Sequence, residues 1–394
     1  MPGSTVKLKE SKRTHGWMGI KRGHNAHPIE WIAEKLIALI SLSAIVMIFL
    51  IFVFIAREAL PVFLGRMNSS PKQEMIPPEK MDSLKPEELR TYLGLTPTEF
   101  AEMERETKVA LMEVKVEAVQ EVGDSPDADI NTTEWRYLLF PYKWEGYDKP
   151  EYIWQPVGTI HKYNIVPLLI GSLKISLIAI FLAVPLAIGA AIYVSQLASP
   201  RFREVLKPVI EMLAGIPSVV LGFFALLVMA SVLQSIFGYE TRLNSFLAGT
   251  ALSLAVIPIV FSIAEDALTS VPRSYSQAAL ALGASKWQAA AQIVLPAALP
   301  GVFAATVLGF GRALGETMIV LMTSAASVVS WSIFDSARPI TATIAAELLE
   351  AVVGGHHYRM LFMLGTLLFV FTFLLNLVGD VVMNRLKSRM EGKK

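Results

Sequence analysis

The chain has 394 residues, of which 53% are hydrophobic and only 18% charged, too apolar a balance for an ordinary soluble domain. A net charge of +1 offers no field that would favour nucleic acid, and the absence of cysteine excludes disulfides and thiolate metal sites. These values leave an all-α polytopic membrane protein as the expected class.

Residues 1–35 form a basic segment carrying Lys7, Lys9, Lys12, Arg13, Lys21 and Arg22. The uncharged run 36–56 that follows can cross a hydrocarbon core of about 30 Å, which takes about 20 apolar residues in a helix. It is too long for a signal-peptide core and no small-residue cleavage site follows, so it is expected to stay as the first span. Apolar runs near 175–197, 209–234, 244–264, 300–327 and 361–383 bring the expected spans to six. The tail 385–394 is basic again, and the inward bias of Lys and Arg places both termini in the cytoplasm.

Between the first two spans lies a polar insertion, 57–160, with 20 acidic and 11 basic residues from 58 onward. It belongs on the outer face, as an α-rich domain with a solvated acidic surface. LKPEELRTYLGLTPTEFAEMERETKVALMEV reads as helical, with Thr96 and Thr98 as N-cap candidates ahead of Glu99 and Glu102. The triplets at Asn68 and Asn131 match a glycosylation pattern that arises readily by chance. From Glu134 to His161 the chain is rich in Trp and Tyr, which suits an interfacial segment leading into the second span, with a ligand platform as the alternative.

No fixed-period repeat, Walker A sequence, HExxH or GxSxG occurs, so no nucleotide-binding site is expected in this chain. His356 and His357 are neighbours that cannot share a helix face, which favours an outward loop over a metal pair. The loop 270–296 after the fourth span stands apart from the other short loops. Its SQAALALGASKWQAAAQIVLP, 276–296, favours helix on both sides of Gly283, and Ser285 can cap the second piece. Two short helices about a glycine turn make a knob suited to a groove on another subunit; an amphipathic linker lying on the membrane is the plainer alternative.

The spacing of Ala278, Ala279, Gly283, Ile293, Leu295 and Pro296 resembles the EAA loop of ABC-importer permeases, with Gln277 where that family usually has glutamate. The resemblance implies that Gln277, Ala278, Ala279, Gly283, Ala284, Ile293, Leu295 and Pro296 couple the chain to a separate ATPase. Glutamine keeps a hydrogen bond there but not a charge-assisted one.

LAGIPSVVLGFFAL (213–226), FGRALGETM (310–318) and ITATIAAELLEA (340–351) are similar to the phosphate-specific transport permeases, most of all the PstC-like members, over roughly 155–388. This resemblance implies a type I ABC-importer permease core over 161–384, in a bacterial inner membrane, importing inorganic phosphate. It implies no cofactor in the chain itself, ATP and Mg being bound by a PstB-like ATPase dimer, and a PstA-like second permease and a PstS-like phosphate-binding protein as further partners. A permease for phosphonate, molybdate or sulfate, or a membrane anchor or sensor without transport, are the alternatives.

Arg312 and Glu316 fall inside the expected fifth span. Counted from Pro300, Arg312 is about 18 Å along the helix, a depth at which arginine costs about 2.5–3.5 kcal/mol on insertion scales, so lipid exposure is excluded. Four residues apart, the two share a helix face, and Gly311 and Gly315 form a GxxxG step that permits close approach of another helix. Either the pair neutralises itself, or it lines the substrate path. In the second case the guanidinium fork holds charged oxygens while the carboxylate accepts a P–OH hydrogen bond that sulfate cannot offer. Gating by re-pairing of the two charges suits the same residues.

Overall fold

The computed structural model describes residues 28–67, 81, 84–93, 95, 97–123, 127, 130–158, 160–326 and 329–390. The basic segment before residue 28, Asn68, Thr96 and the final lysines lie outside them. The chain divides into two units, one ending at Phe54 and the other beginning at Ile55. Within the first, the described residues are the greater part of α1 (Pro28–Phe63), whose large apolar side chains from Leu36 to Phe54 are nearly all exposed. A helix apolar all round without a protein core about it fits a membrane span.

In the second unit the insertion forms α2 (Pro86–Leu93), α3 (Pro97–Glu102) and α4 (Arg105–Gly123) around buried Met81, Leu89 and Met112. Thr98 lies inside α3 and is not its cap, because Pro97 takes the first helical position that its fixed φ favours. The aromatic segment has a fold of its own. It comprises α5 (Trp135–Leu139), a bridge between Tyr142 and Glu151, and an antiparallel hairpin of β1 (Trp154–Gln155) with β2 (Lys162–Tyr163). Tyr142 meets Trp144 edge-on at 4.9 Å and Lys162 lies 5.4 Å over the buried Trp144 ring, so these ring faces are engaged by the protein itself.

Six helices among the described residues are long and apolar enough to cross a membrane: Ala33–Phe63, Val166–Leu197, Ser218–Phe237, Ser245–Thr269, Lys286–Leu314 and His356–Leu386. The second is α6 (Val166–Ile192) prolonged by a π turn, Tyr193–Leu197. A separate amphipathic helix, α7 (Pro200–Leu213), follows, and the third span is α8 (Ser218–Phe224), a π turn and α9 (Ala230–Phe237). The fourth is α10 (Ser245–Thr269), and the loop after it holds α11 (Arg273–Ala281) and α12 (Lys286–Ala289). A π turn, Ala290–Val294, leads into α13 (Leu295–Leu314), then α14 (Met318–Thr323), α15 (Ile340–Glu347) and the last span, α16 (His356–Met390).

Several expected boundaries move: the second span already begins at Val166 and the fifth at Lys286. The third span starts at Ser218 and not near 209, since Val209, Ile210, Met212 and Leu213 belong to α7 and the helix is interrupted before Ser218, where Pro217 is its N-cap. The fifth ends at Leu314 and not near 327, with Gly315 closing α13 and a new helix opening at Met318.

The core is built from α6, α10 and α13. On α6 Ala179, Ala183, Ala187 and Ala191 are fully buried at every fourth position, and its largest interface is with α10. On α13 the small residues that let α10 come close are Gly301, Ala305 and Gly309. A Cβ at Gly301 would lie 2.4 Å from the Ala267 Cβ, and one at Gly309 2.5 Å from Val260 Cγ2. The expected Gly311–Gly315 step makes no such crossing among the described residues. A Cβ at Gly311 would meet Asn376 at an ordinary 3.6 Å, and one at Gly315 only its own helix.

Candidate functional site

The loop 270–296 is a helix, a glycine turn and a helix, as its sequence suggests. Gly283 takes φ +91°, which lets its N–H bond the Leu280 carbonyl at 3.0 Å and the Ala284 N–H bond the Ala279 carbonyl at 3.1 Å. These are the two bonds of a Schellman end, which satisfy carbonyls that the helix leaves orphaned. Ser285 then closes a capping box, with Gln288 N–H donating to its Oγ at 3.2 Å and Ser285 N–H donating to Gln288 Oε1 at 2.8 Å. Gln277, Ala278, Ile293 and Pro296 are exposed, Ala279, Ala284 and Leu295 half-buried. Beside them Leu282 (90% exposed) and Trp287 (59% exposed) stand out as an apolar face that water would not favour.

Arg312 and Glu316 do meet, but not along one helix. Arg312 sits in the last turn of α13, and Glu316 lies beyond the break at Gly315. Arg312 Nη1 is 2.6 Å from Glu316 Oε2, and the arginine side chain is 44% exposed while the carboxylate is buried. Oε2 receives no aligned hydrogen bond, whereas Oε1 accepts the Met318 N–H at 3.2 Å. The Glu316 carbonyl accepts the Thr341 hydroxyl of α15 at 2.7 Å. The depth reckoned from Pro300 does not carry over, because the helix below Arg312 already begins at Lys286. Arg312 stands at the end of the fifth span remote from the loop 270–296.

Two further charged clusters have no counterpart in the sequence reading. Glu265 of α10, fully buried, pairs with Arg203 and with Lys207 (2.6 Å) of α7 and accepts the Thr269 hydroxyl at 3.0 Å. The hydrogen bond to Glu265 holds the Lys207 ammonium above its ordinary pKa. Its one sequence signal is a carboxylate embedded in the apolar run FSIAEDALT.

The second cluster surrounds Glu347, the last residue of α15. Trp154 Nε1 donates to its Oε2 at 3.0 Å, Arg338 Nη1 to its Oε1 at 3.0 Å, and His357 Nε2 lies 3.4 Å from Oε2. Burial pushes the Glu347 carboxyl above its usual pKa, against the pull of Trp154 and Arg338. His356 and His357, expected in an outward loop, instead open α16 and bring His357 into this cluster.

Residues 179–392 match the family of binding-protein-dependent transport system inner membrane components, so α1 and the insertion lie outside the match. The chain is 36% identical over 236 residues to the probable ABC transporter permease protein YqgH of Bacillus subtilis, covering 59% of this chain and 76% of that one. It is 34% identical over 256 residues to the phosphate transport system permease protein PstC of Mesorhizobium japonicum, covering 60% and 77% respectively. A chain of the MetNI methionine ABC transporter, in an inward-facing structure, matches with a TM-score of 0.45 and 18% identity over 56% of this chain and 95% of that one. The family match over more than half of its length, and the share of the PstC relative that it covers, show that this chain belongs to the binding-protein-dependent transport system inner membrane components, as a PstC-like ABC permease.

Proposed function

We propose that this chain is the permease subunit of an ATP-driven phosphate importer, forming half of the path, with both termini in the cytoplasm. The observation that carries the substrate is the Arg312–Glu316 contact: a half-exposed guanidinium against a buried carboxylate whose Oε2 has no aligned donor. Phosphate near neutral pH presents charged oxygens to the fork of Arg312 and a P–OH to Glu316, whereas sulfate would set an unprotonated oxygen against the carboxylate. The names of relatives such as the PstC proteins support phosphate over other oxyanions.

The chain would supply no ATP site or cofactor. ATP and Mg would be bound by a PstB-like ATPase dimer docked on the exposed knob around Leu282 and Trp287, with a PstA-like permease as the other half and a PstS-like protein delivering phosphate. A gating role for the same pair has its own support, since the helix ends at Gly315 between the two charges.

Uptake into vesicles by the reconstituted complex tests the reading. Glu316→Gln is expected to preserve assembly and to loosen the preference for phosphate over sulfate, and unchanged discrimination would sink the selectivity role. Full uptake with Arg312→Lys would argue against bidentate recognition.

A further inference from the structure

The insertion before α6 lies outside the family match, yet α15 joins its hairpin to the substrate pair. At the start of α15 the Ile340 N–H donates to Ser172 Oγ of α6 at 3.0 Å, and the Arg338 carbonyl oxygen stands 2.6 Å from where a Cβ on Gly171 would be, so this end is fixed. One residue on, Thr341 holds the Glu316 carbonyl. At the other end Glu347 takes the indole N–H of Trp154 from β1. A helix of this length is a rod of about 12 Å, so one stiff piece runs from the hairpin to the backbone of the path carboxylate. At the hairpin end Trp154 packs edge-on to Tyr163 at 5.5 Å and Tyr163 stacks on His357 at 6.0 Å. There the Tyr163 hydroxyl and His357 Nδ1 are buried without hydrogen-bond partners. Buried polar atoms left without a protein partner are costly, so this junction gains from any arrangement that pairs them.

We propose that the insertion is mechanically linked to the substrate path through α15, with Trp154 and Glu347 as positioning residues, so that displacing the β1–β2 hairpin from outside moves Glu316. The link rests on the role given above to Arg312 and Glu316.

The chain has no cysteine, so Thr317→Cys places a single thiol beside Glu316. Its maleimide labelling rate, in the complex assembled with cysteine-free partners, reads the geometry of the path without requiring transport. Trp154→Phe keeps a ring and removes the donor, and Glu347→Gln keeps an acceptor and removes the charge. Coupling through packed networks corresponds to roughly a 2- to 30-fold change, and each variant is expected to shift the labelling rate within that range. The double variant is expected to go no further than the larger single one, because both act through one contact. Unchanged rates, including the case of less complex assembled but labelled as before, overturn the link, as does a double variant equal to the product of the singles. Phosphate and sulfate uptake are measured on the Thr317→Cys parent complex: a parent that carries sulfate and not phosphate removes the substrate assignment, while a rate shifted by the variants in that background still keeps the link.

Discussion

Gly301→Ala tests how the loop 270–296 is held. Ala267 on α10 lies just before that loop and Gly301 on α13 just after it, so the crossing of these helices forms its stem. A methyl at 301 would sit 2.4 Å from the Ala267 Cβ. Ala267 has no flexible end to swing aside, so the helices must part by about 1 Å to recover the 3.4 Å of ordinary contact. Overpacking of this kind costs about 1–3 kcal/mol, a factor of about 5 to 150 in an equilibrium. The stem widens and the α11–α12 knob is presented out of place. The assay is ATP hydrolysis by the reconstituted complex, with and without the loaded binding protein. The stimulated component is expected to fall by about that factor while basal hydrolysis, a property of the ATPase subunits, stays. Adding Ala267→Gly removes the opposing methyl and should restore stimulation. Full stimulation with Gly301→Ala alone, or a double variant as impaired as the single, would refute the reasoning.

The knob itself should be sensitive at two positions: Gly283→Ala forces a left-handed residue at about 1–2 kcal/mol, and Ser285→Ala loses a cap at about 1 kcal/mol. Both should raise protease cleavage near residue 283 and lower stimulated hydrolysis, and equal cleavage to wild type would count against the observed turn. At the hairpin, burial and then the nearby His356 hold the His161 imidazole below its ordinary pKa. The fold therefore favours neutral His161, and that stability, present above about pH 6.5, is lost as pH falls through the lowered value. Thermal melts followed by tryptophan fluorescence should drop on acidification, with a shallower drop in His161→Gln; identical pH profiles would exclude His161 as the cause.

Much of the architecture is written in local pattern. Apolar length marks six spans, and Gly283 followed by Ser285 marks the knob, because each signal acts over a few neighbouring residues. The break after Leu314 is not written that way: MIVLMT continues the apolar run, and Gly315 reads as well for a packing glycine as for a helix end. The close crossing within the chain, at Gly301 and Gly309, is not legible in the same way, since spacing on one helix does not say which face meets a neighbour. Glu347 was in view in ITATIAAELLEA, but its indole donor Trp154 stands far off in the insertion and no local pattern joins them. For Glu265 the partners Arg203 and Lys207 lie on a helix that composition merges with the third span.

The interruption at Gly315 also changes what the charged pair can report. Arg312 sits in the last turn of α13, while Glu316 is tied by its carboxylate to the start of α14 and by its carbonyl to α15. Their separation is therefore a ruler between two helices. Lengthening it takes rotation about one glycine, with the loss of one ion contact and of the Glu316 N–H bond to the Ala313 carbonyl, and leaves the hydrogen-bond ladders within α13 and α14 whole. On an unbroken helix the two charges would stay at a fixed spacing, and such a pair can hold an ion but cannot register a shift of one helix against the other.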